Sequence, residues 1–152
     1  MQTFQTLPSV TVNRETSLPA AALWAVLSDL PALPEWAPGI DGAEVTTEFS
    51  EGVGVVREVT TAQFGKIIHN VTVWDENKEF AYQTADSGPF SQTLTTYSLS
   101  EADDGTAEVT VQLVFEVKPG AIAPEQAEMV LSKGLTATLQ ALEMRAKMAN
   151  AA

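Results

Sequence analysis

The sequence predicts an α+β protein in which a curved, seven-stranded antiparallel sheet wraps around one long C-terminal helix, with two short helices between the first and second strands. Three observations support this fold. An alternating segment near the N-terminus is followed by six more between Ala43 and Lys118, at the spacing of β-hairpins. A stretch without internal proline then runs from Pro124 to about Met148 and predicts a helix of roughly 35 to 40 Å. A strongly twisted antiparallel sheet can curl around a helix of that length.

The N-terminal third contains the first strand and both short helices. The first strand is predicted at Ser9–Ser17, where apolar and polar residues alternate. The segment "SLPAAALWAVLSDL" then predicts an amphipathic helix, with Ser17 as its N-cap and Pro19 in its first turn. The following "PALPEWAPGI" contains three prolines, so at most one helical turn is expected before the chain bends at Pro38 and Gly39.

The remaining strands are separated by turn-forming segments such as "DENK" and "EADDG". They are predicted at Ala43–Phe49, Val53–Thr61, Lys66–Trp74, Phe80–Thr84, Gln92–Ser100 and Ala107–Val117. The last of them alternates most regularly, with valine, leucine and phenylalanine on one side and mostly glutamate, threonine and glutamine on the other. Because hairpins join consecutive strands, the sheet is expected to be an antiparallel meander.

Composition excludes several classes of function. The net charge is -12, from 8 basic and 20 acidic side chains, and such a surface repels nucleic acid phosphates and anionic lipid headgroups. No apolar segment is long enough for a membrane span, so we predict no integral membrane association. Cysteine is absent and there is one histidine, so neither a zinc site nor any other metal or cofactor is predicted. The first residues lack a basic region followed by an apolar block, which predicts a cytoplasmic location.

The long helix has an unusual apolar face, because the side chains along its predicted centre are small. At about 100° per residue, Val130, Gly134, Thr138 and Ala141 fall near one line, while the opposite sector, which includes Glu143, is polar and is expected to face solvent. A glycine inside a helix costs about 0.5 to 1 kcal/mol relative to alanine. Either the helix packs closely against the sheet at Gly134, or its small residues leave room for a ligand. A twisted sheet that curls around the helix favours the second interpretation.

Four polar side chains interrupt the apolar wall predicted for the concave face of the sheet: Arg57, His69, Tyr82 and Tyr97. Two apolar positions of the last strand and the small residues of the helix complete the predicted ligand-binding set, which is Arg57, His69, Tyr82, Tyr97, Val111, Leu113, Val130, Gly134, Thr138 and Ala141. Structural explanations stay open for the polar members. A lone histidine is often a hydrogen-bonded core residue, and a tyrosine on a sheet commonly packs its ring and hydrates its hydroxyl.

Counting hairpins predicts which turns meet at the start of the long helix, namely those at residues 62–65, 86–90 and 118–123. Phe64 and Phe90 lie in this group, next to Gly65 and Gly88. An apolar rim containing glycine suits the entrance of a pocket, so Phe64 and Phe90 are predicted to form it. The alternative is that these rings fold inward as plugs.

Several segments resemble START-like (SRPBCC) proteins of the polyketide cyclase/dehydrase type. Trp24, Asp29, Trp36 and Pro38 in "LPAAALWAVLSDLPALPEWAPGI" fall on the opening pattern of that family. "GVGVVREV", "VTVWDENKEFAY" and "LSKGLTATLQALEMRA" are similar to its third strand, a later strand-hairpin-strand unit and its closing helix. The resemblance covers about residues 8–149 of one START-like domain spanning 1–152. It implies a helix-grip fold with an internal cavity for hydrophobic or aromatic small molecules, but no single chemistry.

The leading hypothesis for function is therefore binding of a hydrophobic or aromatic small molecule, such as a lipid, an isoprenoid or a polyketide-like compound, between the sheet and the long helix. For a sizeable ligand, a cavity of roughly 300 Å³ or more is expected. One alternative is a cyclase or dehydratase in which His69 or Tyr82 acts as general acid or base and Arg57 stabilises an enolate-like charge. Another is a protein-interaction module that uses the apolar rim. The oligomeric state, monomer or homodimer, stays open.

Overall fold

The computed structural model describes residues 6–151. Its elements follow in the order β1 (Ser9–Glu15), α1 (Ala20–Leu27), a 3₁₀ helix (Leu30–Glu35), β2 (Ile40–Val45), β3 (Val56–Thr61), β4 (Gly65–Asp75), β5 (Glu79–Ser87), β6 (Phe90–Glu101), β7 (Ala107–Val117) and α2 (Pro124–Ala151). This order confirms the predicted α+β fold, with two short helices after the first strand and one long helix at the C-terminus.

The seven strands form one antiparallel sheet in the order β1-β7-β6-β5-β4-β3-β2. The meander from β2 to β7 agrees with prediction, and β1 completes the sheet by pairing with β7. The register of the inner strands positions the polar residues of the concave face. Arg57 lies opposite His69 across β3 and β4, and Phe80 lies opposite Tyr97 across β5 and β6. Directly opposite residues share a face of the sheet, so these side chains gather in one region.

Helix α1 packs against the sheet through an aromatic cluster. The ring centroid of Trp24 lies 5.3 Å from that of Trp74 and 6.5 Å from that of Phe80, and both pairs meet edge to face. The N-cap prediction is wrong, because Pro19 occupies that position without a side-chain cap. A carboxylate from the sheet compensates: the amide of Ala20 donates to Oε1 of Glu101 at 2.8 Å. A distant glutamate thus satisfies a helix N-terminal amide that a local serine was expected to serve.

The predicted rotation of α2 is wrong by about one residue, or about 100° around the helix axis. Its buried side chains are Ala127, Leu135, Leu139, Leu142, Glu143 and Ala146. Val130 is 55% exposed, and a Cβ added to Gly134 would have no heavy atom within 4 Å other than its chain neighbours and the adjacent backbone of its own helix. Leucines bury more apolar area than small residues, so the leucine face packs against α1, β1 and β7. Glu143, predicted to face solvent, is buried because Arg14 of β1 pairs with it at 2.7 Å.

Two glycines move the boundaries of β2 and β3. Residues 46–55 form a connection in place of the strand ends predicted there, and Phe49 and Val53 are 50% and 62% exposed. Gly52 and Gly54 have φ values of +99° and +96°, which favour glycine and are incompatible with strand backbone. The apolar alternation that predicted a strand therefore continues into a loop.

A β-bulge in β4 changes which residues face the helix. The register between β4 and β5 shifts between Val71 and Val73, after which Trp74 lies opposite Phe80. Strict alternation after Val71 would put Val73 on the concave face, but the extra residue, Thr72, places Trp74 there instead. The hydroxyl of Thr72 is buried and has no hydrogen-bond partner among the described residues.

Candidate functional site

A cavity of about 220 Å³ lies between the middle of the sheet, the first half of α2 and the chain that follows the 3₁₀ helix. Its lining combines aliphatic and aromatic rings with hydroxyl groups, and the residues are Leu33, Ala37, Pro38, Ile40, Thr61, Phe64, Ile67, His69, Tyr82, Thr84, Ser87, Phe90, Thr93, Thr95, Tyr97, Leu113, Leu131, Leu135 and Thr138. The predicted location between sheet and long helix therefore contains a space. Leu131, Leu135 and Thr138 form its helical wall.

Arg57 and His69 form the most buried polar pair at the site, with 2% and 7% exposure. Nη2 of Arg57 donates to Nδ1 of His69 at 2.9 Å, and Nη1 donates to the carbonyl oxygen of Leu30 at 3.2 Å. Since a guanidinium has no acceptor, Nδ1 of His69 must accept, which leaves the proton of the neutral ring on Nε2. Burial, reinforced by the charge of Arg57, holds the pKa of His69 well below its usual value.

Tyr82 continues this polar group along the wall. Its ring stacks on that of His69 with a centroid distance of 4.0 Å and an interplanar angle of 15°. Cζ of Arg57 lies 5.5 Å from the centroid of the Tyr82 ring, within the range of a cation–π interaction. Burial raises the pKa of the Tyr82 phenol, although the charge of Arg57 and a hydrogen bond with Thr95 oppose the effect. Burial also raises the pKa of Tyr97, so both phenols stay protonated at neutral pH.

Behind Tyr82, a second and much smaller void of about 10 Å³ lies beside Arg57 and Trp36. Nε of Arg57 and Nε1 of Trp36 are both buried, and neither has a hydrogen-bond partner within the described chain. Both nitrogens are donors only. The two residues that carry these unpaired donors thus line the same small space.

A group of buried hydroxyls on β5 and β6 also lines the cavity, and the sequence analysis missed it. Oγ1 of Thr84 lies 2.5 Å from Oγ1 of Thr93 and 3.3 Å from Oγ of Ser87. Thr95 is next to this group and is 3% exposed. The signal was present, because Thr84 continues the alternation of Phe80 and Tyr82, and Thr93 and Thr95 continue that of Tyr97 and Leu99. Threonine is common in strands in general, so its presence does not by itself indicate a site.

Phe64 and Phe90 both line the cavity at the predicted end, but they differ in exposure. Phe64 is 38% exposed, whereas Phe90 is 7% exposed and packs edge to face on Phe115 at 5.6 Å. The ring of Phe64 lies directly over Gly88, since a Cβ added to Gly88 would be 2.4 Å from Cδ1 of Phe64. Phe64 therefore crosses from the β3–β4 turn to the β5–β6 turn at the rim of the cavity. Phe90 forms part of the wall.

The predicted site residues fall in several different places. His69, Tyr82, Tyr97, Leu113 and Thr138 line the main cavity, together with Phe64 and Phe90. Arg57 adjoins the small void, and Val111 is fully buried in the core. Val130 lies in an exposed groove beside Val10, Gly134 is exposed, and Ala141 is partly buried on the neighbouring face of α2. The rotation of α2 explains why the small residues of the predicted line, Thr138 excepted, do not line the cavity.

Residues 6–151 contain no group of three or more histidine, aspartate or glutamate side chains placed to hold a metal ion. Within the same range, no helix is both long and apolar enough to cross a membrane. The polar chemistry of the site is therefore that of a guanidinium, an imidazole, an indole and hydroxyl groups.

Comparison with known proteins agrees with this architecture. Residues 8–147 match the family described as "Polyketide cyclase / dehydrase and lipid transport". A search of curated proteins gave no match.

Several solved structures have the same fold at low sequence identity. A START superfamily protein from Mycobacterium smegmatis is 22% identical with a TM-score of 0.80, over 92% of this chain and 97% of that protein. Ara h 8.0201 is 20% identical with a TM-score of 0.75, over 93% and 99% of the two chains. The protein XoxI from Bacillus cereus is 19% identical with a TM-score of 0.77, over 91% and 95%. The family match over most of the sequence, together with this shared fold, shows that the chain belongs to the START-like polyketide cyclase/dehydrase and lipid transport family.

Proposed function

We propose that this protein binds a hydrophobic or aromatic small molecule in the cavity between the sheet and α2. The observation that carries the proposal is the cavity of about 220 Å³ at a position where the sheet and a long helix would otherwise pack together. Well-packed interiors contain few voids larger than a water molecule. A space of this size, lined by leucine, phenylalanine and tyrosine, has the character of a ligand site.

The volume of the cavity limits the ligand. It falls below the value of roughly 300 Å³ expected for a sizeable ligand, but it exceeds the apolar cavity of about 150 Å³ that binds benzene in an engineered protein. A bicyclic aromatic compound or a medium-length alkyl chain therefore matches the resting cavity. A larger lipid, isoprenoid or polyketide-like compound requires the rim at Phe64 to open.

The polar side chains of the wall argue for a ligand that carries at least one hydrogen-bonding group. Nε2–H of His69 is available as a donor, because Nδ1 is occupied by Arg57. The hydroxyls of Thr84 and Thr93 can each donate or accept. Because a net hydrogen bond contributes about 0.5 to 1.5 kcal/mol, a ligand that pairs with these groups is favoured over a pure hydrocarbon.

Recovery of the protein from its source cells, followed by mass spectrometry under native conditions, tests the proposal directly. We expect a stoichiometric hydrophobic compound to copurify. A library of lipids and aromatic compounds should also raise the melting temperature, by about 5 to 10 °C for a ligand at 100 times its Kd. Absence of both a bound compound and any thermal shift would contradict the proposal.

A pair of matched variants localises the binding. Thr138→Phe places a ring in the helical wall of the cavity, whereas Thr136→Phe places the same ring on an exposed position of α2. We expect Thr138→Phe to abolish the thermal shift and Thr136→Phe to retain it. Equal behaviour of the two variants would place the ligand elsewhere.

The cyclase or dehydratase alternative is supported less well by the charges at the site. With its pKa lowered by burial and by Arg57, His69 is a weak base, and with its pKa raised, Tyr82 is a weak acid. A general acid or base near neutral pH requires the opposite shifts. Unchanged turnover of a poly-ketone substrate by His69→Ala would exclude a catalytic role for this residue.

The protein-interaction alternative also has limited support, because the apolar rim offers little free surface. Phe90 is buried, and one face of the Phe64 ring is covered by Gly88. Pull-down experiments comparing Phe64→Ser with the unmodified protein test this alternative, which predicts a partner lost in the variant.

A further inference from the structure

Two buried hydrogen-bond donors, one on Arg57 and one on Trp36, have no partner among the described residues and no role in the binding cavity described above. Arg57 is 2% exposed, and its Nε has no hydrogen-bond partner in the described chain. Nε1 of Trp36 is likewise buried and unpaired. A buried donor without an acceptor is rare in native proteins, because leaving it unpaired costs the full desolvation of the group.

The charge of Arg57 is also uncompensated. Within residues 6–151, no carboxylate lies within 4.0 Å of its guanidinium nitrogens, although Arg14 and Arg145 each pair with a glutamate. Its two hydrogen bonds go to neutral acceptors, the Leu30 carbonyl and the His69 ring. Burial accordingly lowers the pKa of Arg57, while the nearby phenols partly offset the effect. A buried cation normally has an anionic partner.

The small void beside these donors is suited to one acceptor atom. Its volume of about 10 Å³ is close to that needed for a single water molecule or oxygen atom. Leu33, Tyr82 and Tyr97 line both this void and the main cavity, so the two spaces share a wall. These side chains separate the two spaces, so an oxygen of a ligand whose apolar body occupies the main cavity reaches Arg57 when they move apart.

We propose that the void between Arg57 and Trp36 receives a carboxylate oxygen of the ligand, so that the protein selects apolar carboxylic acids over neutral compounds of the same shape. This inference rests on the proposed function, because it specifies the headgroup of the molecule in the cavity. A carboxylate oxygen accepts from both Nε of Arg57 and Nε1 of Trp36, and its charge compensates the guanidinium. A ketone or alcohol supplies the acceptor but leaves the buried charge unpaired.

Matched ligand pairs provide the test. Isothermal titration calorimetry at pH 7 would compare octanoic, decanoic and 2-naphthoic acids with 1-octanol, 1-decanol and 2-naphthalenemethanol, which have the same apolar bodies. We expect at least one acid to bind about tenfold or more tightly than its alcohol, as charge-assisted hydrogen bonds predict. Arg57→Gln should bring the ratio of the two affinities close to one.

A second variant keeps the test valid if Arg57→Gln does not fold. Trp36→Phe removes one donor but retains an aromatic ring, and it should weaken acid binding about fivefold to tenfold and alcohol binding less, so that the ratio of acid to alcohol affinity falls. Trp74→Phe is the matched control, because Trp74 packs against Trp24 and does not itself line the void. We expect its acid and alcohol affinities to stay in the ratio found for the unmodified protein.

The outcomes separate this inference from the proposed function. Equal affinities for acids and alcohols would overturn the carboxylate subsite and leave ligand binding in the cavity intact. Failure of both series to bind would count against the subsite and the binding function together. A crystal structure of an acid complex with water in the void and the carboxylate elsewhere would also overturn the inference.

Discussion

Replacement of Gly88 by alanine should destabilise the protein more than the same change at Gly120. Both glycines have positive φ, +56° and +76°, so an alanine at either position incurs a backbone strain of about 1 to 2 kcal/mol. Only Gly88 is covered, since a Cβ there would lie 2.4 Å from Cδ1 and 2.7 Å from Cγ of Phe64, whereas Gly120 has nothing within 4 Å. Displacing a packed ring adds about 1 to 3 kcal/mol. We therefore expect losses of about 2 to 5 kcal/mol for Gly88→Ala and about 1 to 2 kcal/mol for Gly120→Ala.

Urea denaturation of the two variants measures these free energies of unfolding. The double variant Phe64→Ala/Gly88→Ala removes the ring that the new methyl group meets, so its cost should be smaller than the sum of the two single changes. The same variants also alter the rim of the cavity, because the side chain of Phe64 lies across it. Equal losses for Gly88→Ala and Gly120→Ala, or strict additivity in the double variant, would refute the packing of Phe64 on Gly88.

Three further predictions concern groups around the site. The pKa of His69 in the folded protein lies below its unfolded value of about 6.5. The free energy of unfolding should therefore be constant above that pH and fall by up to about 1.4 kcal/mol per pH unit as the pH decreases toward the folded pKa. In urea titrations His69→Asn should lack this decrease, and a pH profile equal to that of the unmodified protein would contradict the prediction. Glu143→Gln should cost about 1 kcal/mol at pH 7 by weakening a part-buried pair with Arg14, against less than about 0.5 kcal/mol for the more exposed Glu35→Gln. Similar melting temperatures for the two variants would refute this ranking. Thr72→Val should raise the free energy of unfolding by about 1 kcal/mol, because it replaces an unpaired buried hydroxyl with a methyl group, and a loss of stability would show that the hydroxyl is paired.

The strands of the sheet could be predicted from the sequence, because the alternation of apolar and polar residues within each strand shows which side chains face the core. In β7, residues Ala107 to Val117 alternate between apolar and polar except at Val114, and the observed strand has the predicted limits. The same alternation placed Arg57, His69, Tyr82 and Tyr97 on one face, where the structure brings them together. The rule failed at Thr72, since a single inserted residue reverses the side on which every later side chain lies.

The rotation of α2 was not accessible in the same way, because this helix has two apolar faces. One contains Leu135, Leu139 and Leu142, and the other contains Val130 and Met144, which the structure leaves 55% and 66% exposed. Helical periodicity shows that both faces exist but does not rank them. The ranking follows from the area that leucine side chains bury against β1, β7 and α1, and from the pairing of Arg14 with Glu143.

The amino-acid sequence by itself determined the order of elements, the antiparallel meander, the family resemblance and the polar residues of the concave face, since these depend on local periodicity and short segments. Only the tertiary structure decided where the cavity lies, which face of α2 lines it, and that Arg57 and Trp36 are left with unpaired donors beside a small void. The physical reason is that volume, burial and hydrogen-bond pairing depend on residues far apart in the chain. Trp36 and Arg57 lie on separate elements, and no local pattern predicts that both reach the same space without an acceptor.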